Sequence, residues 1–520
     1  MKLYKKIIFL GFTLLIFLYL IIAGFFKLYY ENLSSGNLLS KLTSNTLTET
    51  VIDVLDNRLN IYKDIQSIYF FNPNIFKKKK IDLIFDLSKN DSNYNDSIID
   101  LVSSNYNVFE DQYKNYRKSK IIYDNERFNI KYKFFGSSLT PYRNGFFNLK
   151  IKNKLPIAGF INFNLLTGFE ATYTRVFLNY FGKKNSLISE NSGKIISASF
   201  NNEARDYYMY ETFGEDYFNQ NFNYSYVYSF RKKTSNSHWK LGSHKSNFDN
   251  LYYNLDNPLY VEDDYLLKKK YNDYKKLLEN KYLPSIHEKE YYGKFLSLIY
   301  LFGFPHQIEG DNEKWIATTK YLLPLYRNEG HIDKYFGSYD TFDSEIFDIY
   351  LKSESLNKYK FLVSDDKIRN FRNKSFFNQI NNLDKTIKSF DSIYDKYINV
   401  HKRYNKNYLS INYSHKRFKN NLTHNIDNIK KYLEVSIAHV IKENDTIKLQ
   451  TDSFVKLKLM LNEKTYSFYP KKYSIKNNQL SHQINEFKLY FPEEINSLKI
   501  INEVTGDELD SLKINFHNVF

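Results

Sequence analysis

At 520 residues, with 42% apolar side chains, the chain is longer than one ordinary hydrophobic core and apolar enough to build two or three. It contains no cysteine, which excludes disulfides, thiolate-held zinc and cysteine nucleophiles. The net charge of +16 comes from 74 Lys and Arg interleaved with 58 Asp and Glu, without a dominant basic block or a nucleic-acid motif, so a solvated basic face, or attraction to acidic polymer or lipid, fits better than nucleic-acid binding.

Ile7–Phe26 is an uncharged run of 20 residues, IIFLGFTLLIFLYLIIAGFF. As a helix rising ~1.5 Å per residue it spans about 30 Å, one hydrocarbon core. Lys2, Lys5 and Lys6 precede it and only Lys27 follows closely, which places the N-terminus in the cytoplasm and the bulk of the chain outside, periplasmic or extracellular. A cleaved signal peptide has a shorter apolar core, and Ala23-Gly24 is a poor cleavage site, so the expectation is a single-pass signal anchor over residues 1–27. A polar stalk over 28–75 follows, with Leu47, Val51, Val54, Leu55 and Leu59 at helical spacing.

From residue 76 the pattern turns to strands. Ile81–Leu87 reads as a strand and Ile98–Val102 as part of the helix after it. Lys118–Tyr123 and Phe128–Phe134 alternate apolar with polar residues around an Asp124–Glu126 turn. Phe146–Ile151, Ala158–Leu165, Lys194–Phe200 and Tyr207–Tyr210 extend the series, with a helix over Ala171–Phe181 between them. Phe295, Leu298, Ile299 and Phe302 recur at i, i+3, i+4 and i+7, predicting a helix over Tyr292–Phe302 that Gly303 and Pro305 end. A polar loop, Phe304–Glu313, then leads into a hairpin of two short strands, Lys314–Thr318 and Tyr321–Tyr326.

Beyond Tyr335 the composition becomes helical. Phe377, Ile380, Leu383, Ile387, Phe390 and Tyr394 hold one helical stripe, and Phe418, Leu422, Ile426, Ile429 and Leu433 hold another, with a strongly basic link, Lys402–Lys419, between them. After Thr446 the period falls to two, at Val455, Leu457 and Leu459, at Phe487 and Leu489, and at Leu512, Ile514 and Phe516, which predicts a small antiparallel β domain. The expected organisation is α+β: a transmembrane helix, a domain over 76–345, a helical region over 346–440 and a β domain over 441–520. No Gly-x-Ser-x-Gly, His-Glu-x-x-His, Walker or dinucleotide-binding motif is present.

Four segments carry a family resemblance: Arg127–Lys152 (RFNIKYKFFGSSLTPYRNGFFNLKIK), Asn162–Phe181 (NFNLLTGFEATYTRVFLNYF), Asp206–Phe218 (DYYMYETFGEDYF) and Tyr291–Asn328. In pattern and order they resemble the spore-coat CotH-type kinase family, in its membrane-anchored bacterial branch. Arg175 falls on the Arg that opens that family's helix, Glu211 on its second acid, and His306 and Asn312 on its loop His and Asn.

The resemblance implies a two-lobed, atypical kinase-like domain that takes ATP with Mg²⁺ or Mn²⁺ and acts on a surface protein. A kinase site needs a Lys on the phosphates and metal ligands at the mouth of a hairpin. The implied nucleotide contacts are Lys150, Lys152 and Glu211; the implied metal ligands are Asn312, Asn328 and Asp311; His306 and Asn312 are the implied catalytic residues. Two positions depart from the family. Its helix Glu falls on Val176, which cannot pair with a Lys, and its metal-binding Asp falls on Asn328, a neutral and weaker ligand. These departures point equally to a catalytically inactive scaffold that organises surface protein or acidic polysaccharide.

Overall fold

The computed structural model describes residues 4, 8–18, 21, 81–104, 115–134, 147–151, 156–167, 173–189, 193–200, 203–212, 228–232, 251–254, 264–278, 281–303, 314–327, 362, 365–404, 408–435, 438–469, 475–476, 479–480, 485–509 and 514–519. It is a mixed α+β protein with two compact units. One comprises Leu83–Thr386 and Asn421–Phe520, the other Met1–Asp82 and Ile387–Asn420.

The larger unit begins with a curled mixed sheet. Its strands are β1 (Leu83–Asp86), β2 (Arg117–Tyr123), β3 (Glu126–Phe134), β4 (Phe147–Ile151), β5 (Asn162–Thr167), β6 (Lys194–Phe200) and β7 (Glu203–Glu211). They follow the order β1-β2-β3-β4-β5-β7-β6 and close through a short parallel pairing of Leu83 with Ala198 and Ile84 with Ser199. Closure removes the exposed edges that an open sheet would leave. Asp124 and Asn125, both at positive φ, make the tight β2–β3 turn, which these residue types tolerate best after glycine.

Alternate residues fill the interior, among them Ile121, Ile130, Tyr132, Leu149, Phe163, Leu165, Tyr207 and Met209. The strand expected from Ala158 starts later, at Asn162, because Ala158 and Gly159 turn the chain at positive φ between Ile157 and Phe160. Helix α1 (Lys89–Ser104) contributes Ile98, Tyr94 and Ile99 to this core. Helix α2 (Tyr173–Lys184) lies on the other side of the sheet, where Val176 packs with Leu166, Tyr208 and Tyr210.

A second sheet has the order β11-β10-β8-β9, from β8 (Tyr228–Lys232), β9 (Leu251–Asn254), β10 (Lys314–Ala317) and β11 (Leu322–Pro324). The β10–β11 hairpin is as the sequence predicts; β8 and β9 lie where no strand was expected. Helices α3 (Asp264–Leu278) and α4 (Ile286–Phe302) pack on this sheet, and α5 (Asp366–Asn381) packs on α4. The expected helix over Tyr292–Phe302 is longer, starting at Ile286, because Ser285 and Glu288 form a capping box there. Its C-cap is Gly303 at φ 60°, as expected from sequence. At Gly293 the α4 and α5 backbones approach so closely that a Cβ would lie 2.7 Å from the Arg372 N atom.

Helices α6 (Leu383–Tyr404) and α7 (Tyr408–Leu433) pass through both units, and α5 and α6 are separate helices where the apolar stripe suggested one. The chain continues as β12 (Ala438–Glu443), β13 (Thr446–Thr451), β14 (Leu457–Leu461), β15 (Lys464–Phe468), the short β16 (Ile475–Lys476) and β17 (Gln479–Leu480), β18 (Asn485–Tyr490), β19 (Leu498–Asn502) and β20 (Ile514–Val519). Two sheets, β18-β13-β12-β20 and β15-β14-β19, meet through Phe487 and Phe468, whose rings are 5.0 Å apart. The expectation of a wholly antiparallel domain is corrected here: β12 and β20 run parallel, as strands distant in sequence can.

Residues 8–18 are helical, and their large apolar side chains are exposed. No helix among the described residues is long and apolar enough to cross a membrane, and the rest of the Ile7–Phe26 run lies outside them.

Candidate functional site

The β10–β11 hairpin is the element on which the candidate site hangs, and α4 fixes it in place. Glu288 is 2% exposed, yet its carboxylate accepts four hydrogen bonds. Oε1 accepts from the Leu322 backbone N–H and the Tyr282 hydroxyl, each at 2.8 Å. Oε2 accepts from Ser285 N at 2.7 Å and Ser285 Oγ at 2.8 Å. A buried carboxylate is tolerated only when so many donors replace its water. Fully engaged, Glu288 is a structural anchor and not a free base.

One helical turn on, Tyr292 donates to the Leu322 carbonyl at 2.6 Å, and Tyr291 donates to that of Pro324 at 3.0 Å while accepting from Ile188 N at 2.7 Å. Burial pushes the Tyr292 and Tyr282 hydroxyls well above the usual phenol range, and the Glu288 charge adds to it, so both stay protonated donors. Lys270 on α3 is also buried; desolvation lowers its pKa while Asp273, 3.9 Å away, and Glu288 oppose the shift. Lys270 had no signal in the sequence, whereas the Ser285-x-x-Glu288 spacing could have revealed the anchor.

The same hairpin is tied to α2. Tyr326 donates its N–H to the Ile188 carbonyl at 2.8 Å and bridges Ser189 in parallel, continuing the strand past Pro324. Its ring occupies the space a side chain would need at Gly182, where a Cβ would stand 2.3 Å from the Tyr326 ring. On α2, the fully buried Arg175 guanidinium lies 4.9 Å from the Tyr208 ring centre and 5.6 Å from that of Tyr210. Val176, half-buried on the same helix, packs against the cluster of Leu166, Tyr208 and Tyr210.

Of the residues expected to bind nucleotide, Glu211 is buried at the end of β7, in register with Phe163 of β5. Lys150 is in register with Asn162 of the same strand, so the backbones of Lys150 and Glu211 occupy successive rows on either side of β5. Only the backbone of Lys150 is described. Lys152, His306, Asp311, Asn312 and Asn328 lie outside the described residues. The hairpin turns between Ala317 and Leu322, so the chain enters at Lys314 and leaves at Tyr326 and Arg327 at the opposite, open end. Among the described residues, no group of three or more His, Asp or Glu is placed to hold a metal ion.

No protein-family model matches this sequence, and no curated protein is significantly similar to it.

Proposed function

We propose that the chain is a CotH-like kinase-fold protein, anchored in a membrane by its N-terminal apolar segment and acting outside the cytoplasm on an envelope or surface protein. The observation that carries this reading is the α4-anchored β10–β11 hairpin, whose open end is where the chain arrives from Asn312 and departs toward Asn328. A kinase site asks for metal ligands on either side of such a hairpin, with a cationic side chain on a neighbouring strand for the phosphates. Asn312, Asn328 and Asp311 would hold Mg²⁺ or Mn²⁺, Lys150 and Lys152 would meet ATP with Glu211 nearby, and His306 would accept the substrate proton. Bound ATP would supply the phosphoryl group.

A second reading is favoured by the packing of Val176 against Leu166, Tyr208 and Tyr210, which replaces an expected ion pair with apolar contact. On this reading the same fold is a catalytically inactive scaffold for surface protein or acidic polysaccharide. Thermal denaturation of the full chain with ATP and Mg²⁺ or Mn²⁺ separates the two. Ligand that binds the native state raises Tm, by about 2.7 kcal/mol of apparent stability at a hundredfold excess over Kd. No rise at millimolar ligand removes the phosphotransfer reading and leaves the scaffold. If the metal site is real, Asn328→Asp strengthens the Mn²⁺-dependent shift; an unchanged shift removes Asn328 from the site.

A further inference from the structure

Helix α2 covers the first sheet at β5 and β7, through Val176, Leu166, Tyr208 and Tyr210. On β2 and β3 the outward positions Lys118, Lys120, Asn129 and Lys131 are exposed. The alternate residues Ile121, Ile130 and Tyr132 fill the interior, so the strand period itself puts these lysines on one face. Lys118 and Lys131 stand directly opposite each other in the β2–β3 register, and Lys120 follows two residues along β2. Asp86, the acid in register with Lys120, pairs instead with Arg127 at 3.1 Å. Among the described residues, Lys118, Lys120 and Lys131 have no carboxylate partner.

Like charges directly opposite on adjacent strands destabilise a sheet. The C-terminal domain has the same arrangement at Lys448 and Lys488 and neutralises it: Lys448 pairs with Glu443, and Lys488 with Glu486 at 3.4 Å. On β2 and β3 the repulsion is left standing. We infer that this face is a docking surface for a linear acidic polysaccharide. Exposed ion pairs are individually weak, so binding needs a ligand that repeats its charge and meets several lysines at once. Three uncompensated cations suit a sparsely charged polymer better than duplex DNA, which carries one charge per ~1.7 Å. Between the lysines stands Asn129, an amide for sugar hydroxyls, where a platform for bases would need an aromatic ring. A membrane asks for apolar side chains to insert, and the outward ones on β1 and β2 are Ile84, 38% exposed, and the half-buried Ile122. The inference rests on the acidic polymer of the scaffold reading and gives it a contact surface; phosphotransfer plays no part in it.

The full chain in neutral detergent is to be passed over immobilised polygalacturonate, with dextran as the uncharged control. Replacing Lys118, Lys120 and Lys131 together by Gln is expected to weaken binding about tenfold, from roughly twofold per exposed cation. A matched triple, Lys448→Gln, Lys464→Gln and Lys499→Gln, removes the same charge from lysines already paired with Glu443, Glu493 and Glu508. It is expected to change binding by less than about twofold. Dextran should not bind, and salt should weaken the parent's binding more steeply than that of the first triple.

Equal weakening by both triples would reduce the effect to net charge and overturn the inference. So would a larger loss on duplex DNA or on phosphatidylglycerol vesicles than on polygalacturonate, which would make the partner a nucleic acid or a membrane. If the parent does not bind polygalacturonate, the acidic-polymer arm of the scaffold reading falls together with the face. Binding that is indifferent to Lys118, Lys120 and Lys131 strikes the face and leaves that reading standing. Should the triple variant not fold, Lys131→Gln alone carries the test, with about a twofold loss of binding. Relief of the Lys118–Lys131 repulsion should leave its Tm unchanged or slightly raised; a lowered Tm would reveal a structural partner and overturn the inference.

Discussion

Two helices of the larger unit begin with the same local signal and put it to different use. Ser88 precedes α1 with Asp91 three residues later, and Ser285 precedes α4 with Glu288 three residues later. In both, the serine hydroxyl accepts the backbone N–H of the acidic residue, at 3.1 Å from Asp91 and 3.3 Å from Glu288. The acids then part company. Asp91 turns to Arg117 near the surface, at 2.8 Å, with side chains 14% and 32% exposed. Glu288 is buried and takes up the Leu322 N–H and the Tyr282 hydroxyl in addition to its own cap. A capping motif sets where a helix starts; the surface it meets decides whether that cap also holds the tertiary structure.

The contrast can be broken most severely at Glu288. Glu288→Ala strands the buried Leu322 N–H, takes the partner from the half-buried Tyr282 hydroxyl and removes a carboxylate that helps keep the buried Lys270 charged, so a loss of about 3–5 kcal/mol is expected in urea unfolding. A loss no larger than that of an exposed cap, about 1 kcal/mol, would show that the carboxylate does not tie α4 to the hairpin.

Gly293→Ala probes the other face of α4. Its Cβ would meet the Phe371 Cβ at 2.6 Å and the Arg372 backbone N at 2.7 Å, so α4 and α5 must separate. The expected cost is about 1–3 kcal/mol. An unchanged Tm would mean that the two helices are not in such close contact.

Asp91→Asn has the smallest effect and a pH signature. Burial pushes the Asp91 carboxyl up, but hydrogen bonds from Ser88 and Arg117 and the Arg117 charge together outweigh it and hold its pKa below the usual range. A carboxyl with a depressed native pKa stabilises the fold above its unfolded pKa of about 3.9, and that contribution disappears as pH falls through the native value. At neutral pH the variant should lose about 1 kcal/mol, since the Asp91–Arg117 pair is partly exposed. Once the pH falls below the depressed native pKa of Asp91, the variant and the parent should converge. A gap that persists in acid would assign the loss to packing.

Much of this was legible along the chain. Alternation at Lys118–Tyr123 and Phe128–Phe134 marks β2 and β3, because each half-buried strand shows one face to the core. The apolar spacing of Phe295, Leu298, Ile299 and Phe302 marks α4, and Gly303 marks its end. β8 and β9 escaped because four- and five-residue strands amid Tyr, Asn and Lys carry too few residues to show a period. The break between α5 and α6 escaped because the apolar stripe runs on across Asn382 while the Asn382 backbone leaves the helical region, at φ −103° and ψ 13°. Within the candidate site, the hairpin and Val176 were legible, one from its short apolar runs and the other from its residue type. The engagement of Lys270 and Tyr282 with Glu288 was not, since long-range burial leaves no local pattern.

By itself the sequence determined the local elements: strand and helix periods, the helix end at Gly303, and an uncharged N-terminal run. Each depends on interactions among residues a few positions apart, so short windows suffice to read it. Only the tertiary structure decided that the first sheet closes through β1 and β6, that β12 pairs in parallel with β20, and that Glu288 is buried beneath the hairpin. Those outcomes depend on which apolar faces are available to cover one another across many tens of residues, and the burial they create sets the strength of every polar contact within.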